Sequence, residues 1–156
     1  MPTDRLNDLN RIQLSKHFKL SEFECKGKTC CGYSVKLTPG LLTVVELIWE
    51  RLNMTLDPGA ARLPLLIISG YRCPAHNEYH KGKINSYHIQ GRAADLATRG
   101  MPKTRLAAIV RELAESGLYP FRVGFYKKTY LGLSHHVLHV DVGEGPTVFG
   151  DDWGDA

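Results

Sequence analysis

Two histidines and an aspartate, His88, Asp95 and His139, are the residues of this chain whose types could hold one metal ion. They lie in the segments Ser86-Tyr87-His88-Ile89-Gln90-Gly91-Arg92-Ala93-Ala94-Asp95 and His139-Val140-Asp141. Two neutral imidazoles and one carboxylate suit a zinc ion with its fourth position left for water. Structural zinc sites usually fill all four positions, often with thiolates, so this set points to a catalytic ion. Such an ion lowers the pKa of a bound water to about 7 and polarises a carbonyl. The chemistry implied is hydrolysis.

His88 and Asp95 alone are a weak signal, since a surface histidine and a solvated aspartate would read the same. The spacing would share a helix face, but Gly91 and its polar neighbours argue against a helix. A turn permitted by Gly91 must bring the two together. His139 strengthens the case. In the alternating run Val137–Val142, residues 137, 139 and 141 share one strand face and 138, 140 and 142 the other. His139 and Asp141 therefore point together, as a ligand and its orienting neighbour would.

The elements that must position these residues are legible in part. Thr38 is an N-cap and Pro39 a first helical residue, with Leu41, Leu42, Val44, Val45, Ile48, Trp49 and Leu52 at helical spacing; a helix is expected from Pro39 to about Asn53. Leu63–Ile68 reads as a buried strand that delivers Ser69, Gly70, Tyr71 and Arg72 to a surface. Residues 73–92 read as a long functional loop, with His76 and His80 as solvated loop residues. Ala93–Ala97 reads as a short strand, and a second helix follows Pro102 to Ser116, stopped by Gly117. Phe121–Tyr126 and Val137–Val142 read as strands separated by a turn region at Lys127–Tyr130. Ser21 is expected to cap a short helical start. A short helix is expected around Leu6–Leu14, His17 at the surface, and an acidic tail loop pinned by Trp153. The fold class is α+β, a small, mostly antiparallel sheet flanked by helices.

The 156 residues form one expected domain, 1–156, with 1–16 as a polar lead-in. A hydrophobic fraction of 43% and a charged fraction of 23% exclude large-scale disorder. The net charge of +4 permits attraction to an anionic polymer such as bacterial wall. No dense basic run with interleaved aromatics occurs, so nucleic acid is not an expected partner. No apolar run approaches the roughly 20 residues of a membrane span, and no apolar signal segment opens the chain. Synthesis in the cytosol, a monomeric state and action on the wall after release are the expectations. Cys25, Cys30, Cys31 and Cys73 are first read as reduced, partly buried thiols, next as a disulfide, and third as a second metal site, because their spacing matches no common ligand pattern.

The pattern Ser86, His88, Gly91, Ala93, Asp95 followed by His139-Val140-Asp141 resembles the zinc D-Ala-D-Ala carboxypeptidase family of peptidases, its short phage-associated members above all. Phe18–Phe23, Ile68–Asn77 with its Ser-Gly-Tyr-Arg element, and Val123–Tyr126 resemble further parts of that family, so the likeness spans about residues 17–153. The resemblance implies a fold shared with hedgehog-type domains and wall-lytic endopeptidases. It implies one catalytic Zn2+ on His88, Asp95 and His139, and Arg72 and Ser86 as groups that hold the substrate carboxylate or backbone. An Arg fork suits the carboxylates of peptidoglycan stem peptides. Many members place an acid three positions before the last ligand; here His136 stands there, preceded by His135. His136 is the preferred base by position, although an ideal strand turns it away from His139, and only a bulge would bring it back. Asp141, on the right face, is the rival base and the expected orienter. The expected function is hydrolysis of peptidoglycan peptides, as an endolysin of carboxypeptidase or endopeptidase type. The alternative is a non-catalytic zinc domain of the hedgehog-like fold, which the missing acid favours.

Overall fold

The computed structural model describes residues 10–27 and 29–153. A 3-10 turn at Leu20–Phe23 precedes helix α1 (Pro39–Met54), strand β1 (Leu65–Ser69), helix α2 (Pro74–Tyr79), strand β2 (Ala93–Thr98), helix α3 (Lys103–Glu115), strands β3 (Arg122–Tyr130) and β4 (Leu133–Asp141), and strand β5 (Val148–Gly150). The strands make one sheet in the order β1-β2-β4-β3-β5. All neighbours pair antiparallel except β3 and β5, which are parallel. This is the α+β architecture expected.

Helix α1 begins as its residues dictate. Thr38 accepts a hydrogen bond from the Leu41 N–H, and Pro39 occupies the first turn, where its missing N–H costs nothing. Leu41, Val44, Val45, Ile48 and Leu52 are buried at helical spacing. Helix α3 contributes Leu106, Ala107, Val110, Leu113 and Ala114 to the same core. Both helices pack on the sheet face formed by Leu65, Ile67, Ala94, Leu96, Val123, Leu138 and Val140. Alternation then sends Asp95, His139 and Asp141 to the opposite face, away from the helices.

Several elements depart from expectation. Residues 74–79 form a short helix, with Cys73 as its N-cap and Pro74 in its first turn. Its six residues carry no apolar period that would mark a helix. The strands β3 and β4 are one long hairpin that turns at Leu131-Gly132. Lys127–Tyr130 is therefore strand and not turn, with Lys127, Lys128 and Thr129 exposed to solvent. The tail contributes β5, held parallel to β3. Ser21 does not cap; it lies inside the 3-10 turn, and the Lys19 N–H is satisfied by Glu22 Oε2 at 2.7 Å. The helix expected at Leu6–Leu14 falls largely outside the described residues, and residues 10–14 are not helical. His17 is not a free surface residue. It stacks on Trp49 with ring centroids 3.4 Å apart and bonds Glu46 at 2.6 Å. Trp153 is buried in the main core and pins the tail, as expected.

Candidate metal centre

Antiparallel register builds the site. In β2 and β4, Asp95 sits opposite His139, and Ala93 sits opposite Asp141. In β3 and β4, Gly124 faces His139 and Arg122 faces Asp141. His88 reaches the same place from the loop before β2. Gly91 makes that possible: its φ is +68°, and a Cβ there would lie 2.5 Å from the Lys36 carbonyl carbon. The Gly91 carbonyl in turn accepts from the Thr38 N–H at 2.9 Å, which ties the turn to the start of α1.

The donor atoms of His88, Asp95 and His139 all lie within 4.8 Å of one another. Asp95 Oδ1 is 3.4 Å from His88 Nε2 and 3.1 Å from His139 Nδ1. Tetrahedral zinc with N and O ligands at 2.0–2.2 Å separates its donors by about 3.3–3.6 Å, so the set fits the ion closely. His88 Nδ1 is 2.7 Å from the Gly70 carbonyl and must carry its proton there. Its Nε2 is then a lone-pair acceptor, buried and without a hydrogen-bond partner. A buried bare nitrogen aimed at a carboxylate is a ligand in search of a cation.

The electrostatics agree. Burial opposes the ionised form of Asp95, but the adjoining imidazoles of His139 and His88 outweigh it and hold the carboxyl well below the usual range. Burial lowers the His88 pKa. Burial also opposes charge on His139, yet hydrogen bonds with Asp141 and Asp95 raise its pKa. The field at this point favours positive charge.

Asp141 is the organiser of the cluster. It is fully buried. It accepts Arg122 in a two-pronged bond (Nε to Oδ1 2.8 Å, Nη2 to Oδ2 2.9 Å), and the Gly143 N–H at 2.9 Å. Its Oδ2 is 2.9 Å from His139 Nε2, so the proton of His139 sits on Nε2 and Nδ1 is left for the site. Arg122 is clamped between rings, 4.4 Å from the Phe149 centroid and 5.5 Å from that of Tyr87. Arg122, Phe149 and Tyr87 were not singled out by sequence; the available signal was the opposition of Arg122 to Asp141 across a hairpin whose turn lies at Leu131-Gly132.

The cluster opens into a cleft of about 600 Å3 whose walls include Arg72, His80, Ser86, Tyr126 and Phe149. Arg72 is 7% exposed, yet its Nε has no partner and its Nη1 makes only a long 3.4 Å contact to Asn77 Oδ1. Ser86 accepts from the His88 N–H at 3.3 Å and fixes the turn. His136 lines a neighbouring cavity together with Arg72, His80 and Asp95, but it is not among the residues that line the cleft over the metal triad. The β3–β4 register runs unbroken from Leu133 to Asp141, so no bulge alters its parity. Its ring stacks on Trp153, centroids 5.0 Å apart, on the other side of the sheet from His139.

The profile of the peptidase M15 family matches residues 16–139, a stretch that contains all three candidate ligands. The chain belongs to the peptidase M15 family. Peptidases of this family are zinc-dependent, and His88, Asp95 and His139 are grouped here as candidate metal-binding residues. No curated protein matches the chain.

Proposed function

We propose that this M15 peptidase is a zinc enzyme that hydrolyses peptide bonds in bacterial peptidoglycan, of D-Ala-D-Ala carboxypeptidase or L-Ala-D-Glu or DD-endopeptidase type, acting as a phage or prophage endolysin. His88, Asp95 and His139 hold the ion, which when bound supplies an activated water and a Lewis acid at neutral pH. The observation that carries the substrate class is Arg72. A nearly buried guanidinium with an unused Nε, beside the metal triad and without a carboxylate in salt-bridge range among the described residues, is built to receive one. Stem peptides of peptidoglycan carry such carboxylates. Ser86 holds the loop that carries His88 and lines the path of the substrate.

Proton transfer needs a group that faces the cleft. Asp141 is committed to Arg122 and His139, which makes it a positioning residue. His136 faces the wrong side. His80, at the end of α2, is the imidazole that lines the cleft besides the two ligands. Burial and then the charges of His76 and Arg72 lower its pKa, which keeps it neutral and able to accept a proton at pH 7. Amine release from purified wall by zinc-loaded wild type, Asp95→Ala, His80→Ala and His136→Ala tests this assignment. Asp95→Ala is expected to be inactive, His80→Ala to fall by about 10²–10⁴-fold, and His136→Ala to stay near wild type. Absence of amine release by the zinc-loaded wild type would instead favour a non-catalytic zinc domain. One observation speaks for that second reading: the residue at the family's usual acid position, His136, is packed on Trp153 away from the site.

A further inference from the structure

A second group of metal-ligating side chains lies on the other side of Arg72. The thiols of Cys25, Cys30, Cys31 and Cys73 converge so that all four Sγ atoms lie within 4.8 Å of one another. Two of the separations, Cys25 to Cys30 and Cys30 to Cys31, are 3.8 Å. A tetrahedral zinc with Zn–S bonds of 2.3 Å separates its sulfurs by about 3.8 Å, whereas a disulfide needs about 2.05 Å. We propose that these four cysteines form a tetrathiolate zinc site, separate from the catalytic centre and structural in role.

The local chain is shaped for it. Three of the thiols come from one tight loop and the fourth from the N-cap of α2. Gly27 lies against Cys30, where a Cβ would fall 2.2 Å from Sγ, so any larger residue would push the sulfur out of place. After Cys31 the backbone turns back through two successive residues of positive φ, Gly32 at 64° and Tyr33 at 60°. The Cys25 N–H then bonds the Ser34 carbonyl at 2.9 Å, which shuts the loop. Backbone N–H groups point at the sulfurs: Cys73 N lies 3.5 Å from Cys25 Sγ, and His76 N lies 3.4 Å from Cys73 Sγ. Such donors support the charge of metal-bound thiolates and orient them. Cys25 and Cys73 are buried, while Cys30 is exposed and Cys31 half-buried, so the ion could enter from the loop side. Four soft thiolates in a closed set suit zinc and leave no open position for water.

The placement gives the site a purpose. Phe23 and Cys25 on one side, and Tyr71, Arg72 and Cys73 on the other, are adjacent segments from distant parts of the sequence. The Tyr71 N–H donates to the Phe23 carbonyl at 2.8 Å and ties the two segments together. An ion between Cys25 and Cys73 would rivet these segments and so hold Arg72 in the cleft wall.

The full-length protein, purified under reducing conditions, tests this with two readouts. Zinc is counted before and after titration with a mercurial reagent, in wild type and in Asp95→Ala/His139→Ala, which removes the other site. The double variant is expected to retain one zinc that only the mercurial releases, and the wild type to hold two. In parallel, cobalt replaces zinc in the wild type. Sulfur-to-cobalt charge-transfer absorption is expected, and a site of two histidines and an aspartate cannot produce it. Cys30→Ser, at the exposed position, is expected to weaken that band. A double variant that folds but holds no zinc, a cobalt spectrum without thiolate bands, or fresh protein whose mass shows paired cysteines would overturn the proposal. Because the count is made without the catalytic ligands, its failure leaves the peptidase assignment untouched, and the reverse.

Discussion

Asp141→Asn is the perturbation that probes the site most finely, because it changes almost no volume. In the native protein this fully buried carboxylate receives Arg122 twice, the Gly143 N–H and the His139 imidazole, all at 2.8–2.9 Å. An asparagine has one acceptor oxygen. If it faces Gly143 and Arg122 Nε, its NH2 meets Arg122 Nη2 and His139 Nε2; if flipped, the same conflict moves to the other pair. The partly buried Arg122 guanidinium also loses its counter-charge; removing one partner of a fully buried pair costs about 3–5 kcal/mol, and solvent access to Arg122 keeps this loss at or below the lower end. Relief is available only if His139 accepts from the new NH2 at Nε2. That moves its proton to Nδ1, the atom aimed at Asp95, and spoils it as a ligand. Loss of such an orienting partner typically weakens metal binding about 10–100-fold, or about 1.4–2.7 kcal/mol. Competition against a chromogenic zinc chelator reads the affinity, and urea denaturation of the metal-free protein reads the stability. A variant that binds zinc as tightly as wild type with unchanged stability would refute the organising role given to Asp141.

Three further outcomes follow from particular contacts. Burial pushes the Asp141 carboxyl up, but hydrogen bonds from His139, Arg122 and Gly143 hold it at about 2. A depressed folded-state pKa stabilises above the unfolded value near 3.8 and loses that effect as pH falls, so metal-free protein should lose about 2 kcal/mol between pH 4 and pH 2, measured by urea titration; a flat profile over that window would contradict the buried pair. Gly91→Ala should destabilise by more than about 1–3 kcal/mol, because the strained φ is compounded by overlap with the Lys36 backbone, and equilibrium unfolding would show it. Arg72→Lys should raise KM far more than it lowers kcat on a carboxylate-bearing wall peptide, since an ammonium cannot offer the planar fork; equal kinetics would remove Arg72 from substrate binding.

The parts of the fold that sequence disclosed are those with local physical signatures. Helix α1 announces itself through Thr38, Pro39 and a wide apolar stripe, and β4 through alternation that separates His139 and Asp141 from Leu138 and Val140. His139 was legible for the same reason; His88 lies in a loop without such a pattern and, like Asp95, was legible through its residue type and its place in the Ser86–Asp95 motif. What stayed hidden depends on distant pairing. The role of Arg122 exists only because the hairpin register sets it opposite Asp141. The packing of His136 on Trp153 needs the tail folded back into the core, and nothing near His136 signals that. The convergence of the cysteines is hidden because their spacing matches no common ligand pattern and Cys73, remote in sequence, meets the other three only in the fold.

The central claim is that the zinc held by His88, Asp95 and His139 cuts peptide bonds of the wall. Mass spectrometry of muropeptides from purified peptidoglycan, digested with zinc-loaded wild type and with zinc-loaded His139→Ala, tests it most directly. New fragments with one freed amine and one freed carboxylate are expected from the wild type and not from the variant, and their masses identify the bond. An unchanged muropeptide profile with the zinc-loaded wild type, or the same new fragments from His139→Ala, would contradict the account.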